Sequence, residues 1–201
     1  MEIEETQRVA RRGMLAAGIG GAAISLLPFL TGRASAAAAT PPPKRPTADD
    51  VTLLAVAQQL EVTATALYTS AIKDVKGWTD EQAAVMVAMR EAHLAFANSL
   101  SAILGKAAPG TPIEELLTSL ASSFTGDATS VIKAAADLES AATATHTDVL
   151  GQLVGLDGAA LVASIQIAEA RHTTVLRSLA GSSDLAELLV DTEAASLLGN
   201  A

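Results

Sequence analysis

The sequence contains no cysteine among its 201 residues. This absence excludes disulfide bonds, thiolate metal sites and thiol nucleophiles. It leaves histidine and carboxylate side chains as the available metal ligands. Ligands of this kind suit iron, manganese or zinc.

Aromatic and basic residues are also scarce. Aromatic residues make up 2% of a chain that is 50% hydrophobic, so a core must form from small and aliphatic side chains on closely approaching helices. Thirteen Lys and Arg against 22 Asp and Glu give a formal charge of -9. Because phosphate binding needs a basic surface, this charge argues against a nucleic-acid partner. The composition therefore favours an all-α protein that does not bind nucleic acid.

Residues 1–36 have the layout of an export signal, with a polar start, an apolar run over 14–30 and a small-residue exit at Ala36. Arg11 and Arg12, followed by Gly-Met-Leu, resemble the twin-arginine signal. We therefore expect export to the periplasm, the cell envelope or the medium. The alternative is an uncleaved anchor through residues 14–30, since about 17 apolar residues can just span a bilayer. Only in that case is a membrane a partner.

The remainder predicts a bundle of four long helices within residues 48–181, preceded by a stiff Pro-rich linker, 37–47. Helix starts are indicated by Thr47 with Asp50 and by Thr79 with Gln82. The expected long helices are 47–73, 79–105, 127–153 and 157–179, with a short crossover helix within 112–126 and a tail, 182–201, that can form a further helix.

The two halves of the predicted bundle resemble each other. The segment Leu60–Tyr68 aligns with Leu138–His146 at an offset of 78 residues, and His93 aligns with His172 at an offset of 79. Nearly equal offsets indicate that one helix-pair unit is used twice.

Several ionisable residues stand in apolar stripes, because their neighbours three, four and seven positions away are mostly hydrophobic. Isolated ionised carboxylates are costly to bury, so such residues must be paired, protonated or bound to a cation. One interpretation is a neutralised core network in which Arg90 bridges two glutamates and the histidines hydrogen-bond to the rest. The other is a metal site. The residues in question are Glu61, His93, Glu139 and His172.

This ordered set resembles the ligands of the ferritin-like di-iron carboxylate bundles, in which two helices each give a Glu and the other two each give Glu-x-x-His. The first helix, DDVTLLAVAQQLEVTATALYTSAI, is similar to that of the exported ferritin-like domain proteins of bacteria. The resemblance spans about residues 48–180. It implies a ferritin-like four-helix bundle whose metal ligands are Glu61, His93, Glu139, Glu169 and His172.

The second helix departs from that pattern, because Arg90 stands where the family has a bridging glutamate. Glu91 does not replace it, since one residue rotates a side chain by about 100° around a helix. Three carboxylates and one arginine carry a net charge of -2, which balances one divalent ion. We therefore expect either a degenerate site plugged by Arg90 and empty of metal, or a mononuclear site, and an intact two-metal centre is a third alternative. The mononuclear ligands would be Glu139, Glu169 and His172, with Glu61 as a fourth.

Tyr68 and His146 follow Glu61 and Glu139 by seven positions and so share their helix faces. The first interpretation is that both are polar core residues. The alternative is that they hydrogen-bond to metal ligands.

Two functional hypotheses follow. The first is an exported protein that binds one divalent metal ion, iron or manganese before zinc, for redox or oxygen-related chemistry. The second is a non-catalytic envelope scaffold with a metal-free polar core, which binds a partner protein or forms a homo-oligomer. The sequence leaves open whether the chain is an enzyme, and its residues identify no substrate.

Overall fold

Six α-helices account for most of the part of the chain that the computed structural model describes, residues 41–189 and 191–197. Over these ranges there is no strand, and a single isolated β-bridge joins Lys76 to Asp127. The all-α prediction is confirmed. The helices are α1 (Ala48–Asp74), α2 (Asp80–Leu104), α3 (Glu114–Ala121), α4 (Ala128–Gln152), α5 (Leu156–Leu179) and α6 (Leu185–Leu188).

The predicted export signal, residues 1–36, and the alternative membrane anchor, residues 14–30, lie outside the described residues. Among the helices that are described, none combines the length and the apolar character that a membrane crossing requires.

Local sequence signals set where the long helices begin. Thr47 and Thr79 each form a capping box, in which the threonine hydroxyl and the side chain three residues later satisfy backbone N–H groups reciprocally. Asp127 caps α4 by accepting from the Ser130 N–H. Helix α5 follows Gly155 and lacks a side-chain cap. Its first two N–H groups instead donate to carbonyls of the Pro-rich linker, since Leu156 pairs with Pro43 and Asp157 with Lys44.

Asp50 joins the two halves of the bundle at one end. Its carboxylate accepts from the N–H groups of Thr47, Val154 and Gly155 at 2.8 to 2.9 Å. Burial alone would raise the pKa of Asp50, but these backbone donors hold it below the ordinary value. The start of α1 is thereby fixed to the α4–α5 turn.

The four long helices pack as two pairs. Helix α1 lies along α2, α4 lies along α5, and the pairs meet through α1 with α4 and α2 with α5. The crossover from α2 to α4 contains α3, which contacts α1. It also carries Phe124, whose buried ring meets Tyr68 edge-on at 5.9 Å between centroids. This topology brings one face of each long helix to a common axis.

The apolar core is split into two clusters with a polar layer between them. The lower apolar cluster surrounds Tyr68 and Met86, and the upper apolar cluster surrounds Leu54 and Leu100. Each long helix contributes to both clusters, and its ionisable residues lie between those two contributions. Apolar packing therefore closes the polar layer from above and from below.

The predicted tail helix is short. Helix α6 spans only Leu185–Leu188, and the chain then runs back over α4. There the N–H of Leu197 donates to the Thr145 hydroxyl at 2.8 Å. The guanidinium of Arg177 donates to the carbonyls of Glu187 and Leu189.

Gly155→Ala should destabilise the protein. A Cβ at this position would lie 2.7 Å from the Arg45 carbonyl oxygen and 2.8 Å from the Pro46 Cα, both backbone atoms that have little room to yield. We expect a loss of about 1–3 kcal/mol in the free energy of unfolding, measured by urea denaturation.

Gly151→Ala is the matched control, because its added Cβ meets nothing within 4 Å in α4. This change should leave stability unchanged or raise it by up to about 1 kcal/mol. Equal effects of the two substitutions would contradict the close approach at Gly155.

Candidate metal centre

Six ionisable side chains from the four long helices meet in the polar layer. Five of them are at most 1% exposed, whereas the side chain of His172 is 15% exposed. A carboxylate that is fully buried must be neutralised by its neighbours. The six are Glu61 on α1, His93 on α2, Glu139 and His146 on α4, and Glu169 and His172 on α5.

Glu139 is the most fully hydrogen-bonded carboxylate of the layer. Its Oε1 accepts from the Tyr68 hydroxyl at 2.6 Å and lies 2.9 Å from His93 Nε2. Its Oε2 lies 3.2 Å from His172 Nδ1. Burial would raise the pKa of Glu139, but His93 and His172 lower it to about 2. Glu139 is therefore ionised at neutral pH.

His93 bridges two carboxylates. Its Nδ1 lies 2.7 Å from Glu61 Oε2, and its Nε2 lies 2.9 Å from Glu139 Oε1. Burial works against the charged imidazole, but the two carboxylates raise the pKa of His93 well above its ordinary value. His93 is thus a cation that donates from both ring nitrogens.

His146 forms a second connection through the layer. Its Nδ1 lies 2.8 Å from Glu169 Oε2, and its Nε2 lies 3.4 Å from Glu61 Oε1. Burial lowers the pKa of His146, but Glu169 and then Glu61 raise it to about 9. Burial and the neighbouring carboxylates in turn raise the pKa of Glu169 to about 7 against the pull of His146. The pair therefore holds protons more tightly in the folded chain than in the unfolded chain.

Two groups of three residues in the described part of the chain place possible ligand atoms within 4.8 Å of one another. The first group consists of His93, Glu139 and His172, and the second of Glu61, His146 and Glu169. Four buried side-chain atoms in the described part of the chain lack a hydrogen-bond partner. One is Trp78 Nε1, and the other three belong to the second group: Glu61 Oε1, His146 Nε2 and Glu169 Oε1. Of the two groups, only the second offers buried donor atoms that the protein itself does not use.

The predicted mononuclear ligand set is divided between these groups. Glu139 and His172 fall in the first group, whereas Glu61 and Glu169 fall in the second. Residues three apart differ by about 60° around a helix, so Glu169 and His172 reach different neighbours across the layer.

Arg90 lies at the edge of the bundle. Its guanidinium pairs with Glu91, and its side chain is 28% exposed. The predicted role of Arg90 was to bridge two buried glutamates as a plug. In the described structure its ion pair is instead with the exposed Glu91. A long arginine side chain can turn its head toward water while its stem stays packed, and a neighbouring carboxylate favours that conformation. The buried layer then contains three carboxylates and no arginine, so its carboxylates carry -3 when all are ionised, with no arginine to reduce that charge to the net -2 expected from the sequence.

Tyr68 and His146 are direct members of the network, although the first interpretation treated them as ordinary polar core residues. Tyr68 is fully buried and donates to Glu139. Burial and the Glu139 charge raise the pKa of Tyr68 well above its usual value, so its hydroxyl stays protonated. The signal that could have identified both residues was their position two turns after Glu61 and Glu139 on the same helix face.

Residues 49–182 match the model of the ferritin-like domain, which covers all four long helices and the whole polar layer. The chain belongs to the ferritin-like domain family. No curated protein and no solved structure matched the chain.

The metal-free protein should lose stability both below and above about pH 4.5. Glu139 has a lowered pKa, so its contribution is present above pH 4.5 and is lost as the pH falls toward about 2. His146 has a raised pKa, so its contribution is present below pH 6.5 and is lost as the pH rises through about 9. Glu169 also has a raised pKa, so its contribution to stability is present below pH 4.5 and is lost as the pH rises through about 7.

The test is urea denaturation of the chelator-treated protein from acid to alkaline pH. We expect the His146 step to be on the order of 3 kcal/mol. His146→Gln should reduce the loss of stability at alkaline pH and leave the acid part in place, while the alkaline contributions of Glu169 and His93 remain. A protein that becomes steadily more stable from about pH 5 to pH 9 would contradict the assignment.

Proposed function

We propose that this chain is an exported ferritin-like protein that binds one divalent metal ion in the buried polar layer. The observation that carries the proposal is the set of carboxylate and imidazole groups at mid-height of the bundle, three of whose buried atoms have no hydrogen-bond partner. Buried polar atoms are almost always satisfied in folded proteins. A bound cation is one way to satisfy them.

The donor set fits iron or manganese. Three carboxylates and three imidazoles are available, and the absence of cysteine removes the soft sulfur ligands that favour zinc or copper. Arg90 pairs with Glu91 and so does not compete with a cation for the three carboxylates of the layer. Zinc remains compatible with these ligands but is third in order.

A bound iron or manganese ion would supply one-electron redox chemistry and a coordination position for an oxygen species. The residues of the chain hold and enclose that ion. The apolar clusters above and below exclude water, and the Tyr68 hydroxyl keeps Glu139 in place. His172 is the most exposed of the six layer residues, and its ring stacks on Phe96 at 6.4 Å. The approach from solvent is therefore expected between α2 and α5.

A metal-free scaffold is the second candidate. It is favoured by the hydrogen bonds that already link the layer, in which the His93 cation bridges Glu61 and Glu139. Such a network can hold the four helices in register without an ion. In that case the protein would act in the envelope through a partner protein or a second copy of itself.

Metal analysis separates the two candidates. The chain is purified without a metal-binding tag, stripped, loaded anaerobically with Fe²⁺ or Mn²⁺, and dialysed before elemental analysis. We expect one equivalent of metal per chain and a higher melting temperature in the loaded protein. Glu169→Gln should abolish metal retention, because it removes a buried carboxylate of the layer.

Glu91→Gln is the matched control, because Glu91 is an exposed carboxylate on α2 that pairs with Arg90 at the edge of the bundle. It should bind metal as the unmodified chain does. Retention of no metal by the folded, unmodified protein would favour the scaffold. Two equivalents would contradict the single-ion proposal.

Export is proposed on the strength of the amino-terminal sequence. Arg11 and Arg12 precede an apolar run and a small-residue exit, the arrangement typical of a twin-arginine signal. Replacing both arginines by lysine should keep the full-length chain inside the expressing bacterium, as measured by fractionation and immunoblotting. Unchanged export of that variant would contradict this route.

A further inference from the structure

The internal repeat of the bundle is broken at the polar layer. Aligned at offsets of 78 and 79 residues, Glu61 corresponds to Glu139 and His93 corresponds to His172. Those two correspondences preserve chemistry, and the structure preserves geometry as well. His93 Nδ1 lies 2.7 Å from the glutamate of its own half, and His172 Nδ1 lies 3.2 Å from the glutamate of its own half.

The other two correspondences do not preserve chemistry. His146 in the second half corresponds to Tyr68 in the first, and Glu169 corresponds to Arg90. Tyr68 donates its hydroxyl proton to Glu139, and Arg90 pairs with Glu91 at the bundle edge. Glu61 is therefore the only one of the two repeated glutamates with both an imidazole and a second carboxylate from the opposite half nearby. These are His146 and Glu169.

The same three residues also have the donor atoms that lack a hydrogen-bond partner. Glu61, His146 and Glu169 each have one carboxylate or imidazole atom engaged and one buried atom without a hydrogen-bond partner. Both oxygens of Glu139 are already hydrogen-bonded, so an ion in the first group must displace contacts from Tyr68, His93 or His172. An ion in the first group would therefore break more hydrogen bonds than an ion held by Glu61, His146 and Glu169.

Charge balance also favours an ion at Glu61, His146 and Glu169. Glu61 and Glu169 together carry -2 when ionised, which one divalent ion neutralises. The remaining carboxylate, Glu139, is neutralised by the His93 cation at 2.9 Å. An ion between His93, Glu139 and His172 would instead require a neutral His93, and would leave the His146 cation alone to neutralise both Glu61 and Glu169.

We propose that the ion is held by Glu61, His146 and Glu169, and that His146 is a metal ligand outside the Glu and Glu-x-x-His set expected from the family resemblance. The ion would take the place of a proton on His146, whose Nδ1 lies 2.8 Å from Glu169 Oε2 and whose Nε2 lies 3.4 Å from Glu61 Oε1. A ligating imidazole must be neutral, so metal uptake would release that proton. His172, the histidine of the Glu-x-x-His motif, stays hydrogen-bonded to Glu139 and does not bind the ion. This inference rests on the proposed function.

The test compares two histidine variants of the full chain, His146→Gln and His172→Gln, by equilibrium dialysis against Mn²⁺. We expect His146→Gln to weaken binding at least about 10-fold and His172→Gln to retain one equivalent with an affinity within about 3-fold of the unmodified chain. Circular dichroism checks that both variants are folded. Loss of binding in His172→Gln, alone or together with His146→Gln, would overturn the assignment.

A second measurement uses only the unmodified chain, so its result does not depend on how well a variant folds. Pulsed electron paramagnetic resonance of Mn²⁺ bound to the unmodified chain reports the imidazole nitrogens coordinated to the ion. One coordinated imidazole is expected for Glu61, His146 and Glu169, whereas two are expected for His93, Glu139 and His172. Two imidazoles, or none, would overturn the inference while leaving the proposed metal-binding function intact. Failure of the unmodified chain to bind Mn²⁺ or Fe²⁺ would instead remove the proposed function itself.

Discussion

The burial of three glutamates at mid-height of the bundle is the constraint on which the rest of the structure depends. A fully buried carboxylate is stable only beside a positive charge or hydrogen-bond donors. Here the donors are three histidines and one tyrosine from the four long helices. The helices must therefore keep one register, because a shift by one residue would rotate these side chains by about 100° away from their partners.

The same arrangement supports both a metal-free and a metal-bound core. Without an ion, His93 and His146 carry the positive charge that the carboxylates require. With an ion at Glu61, His146 and Glu169, the charge of the ion would replace that of His146. Proton loss and metal uptake are then coupled, because a ligating imidazole must be neutral. Apolar clusters on both sides keep either arrangement away from water.

Most of the fold follows from local signals in the sequence. The two capping boxes at Thr47 and Thr79 begin α1 and α2, and the inward stripes of Leu, Val and Ala predict four packed helices. The polar layer was predictable in outline, since Glu61, His93, Glu139, Glu169 and His172 all lie on inward faces. The direction of Arg90 was not. A residue one turn before His93 points inward by helix periodicity, yet its long side chain turns to Glu91 and water.

The sequence by itself determined the helices, their inward faces and the identity of every donor available to the layer, because these depend on periodicity and side-chain chemistry along a single chain. Only the tertiary structure decided which donors meet. His146 contacts Glu169 and Glu61, and Tyr68 contacts Glu139. The residues of these pairs lie 23 to 85 positions apart in the sequence, on different helices. Those pairings depend on how four helices rotate and slide against one another, and no local pattern in the chain specifies that geometry.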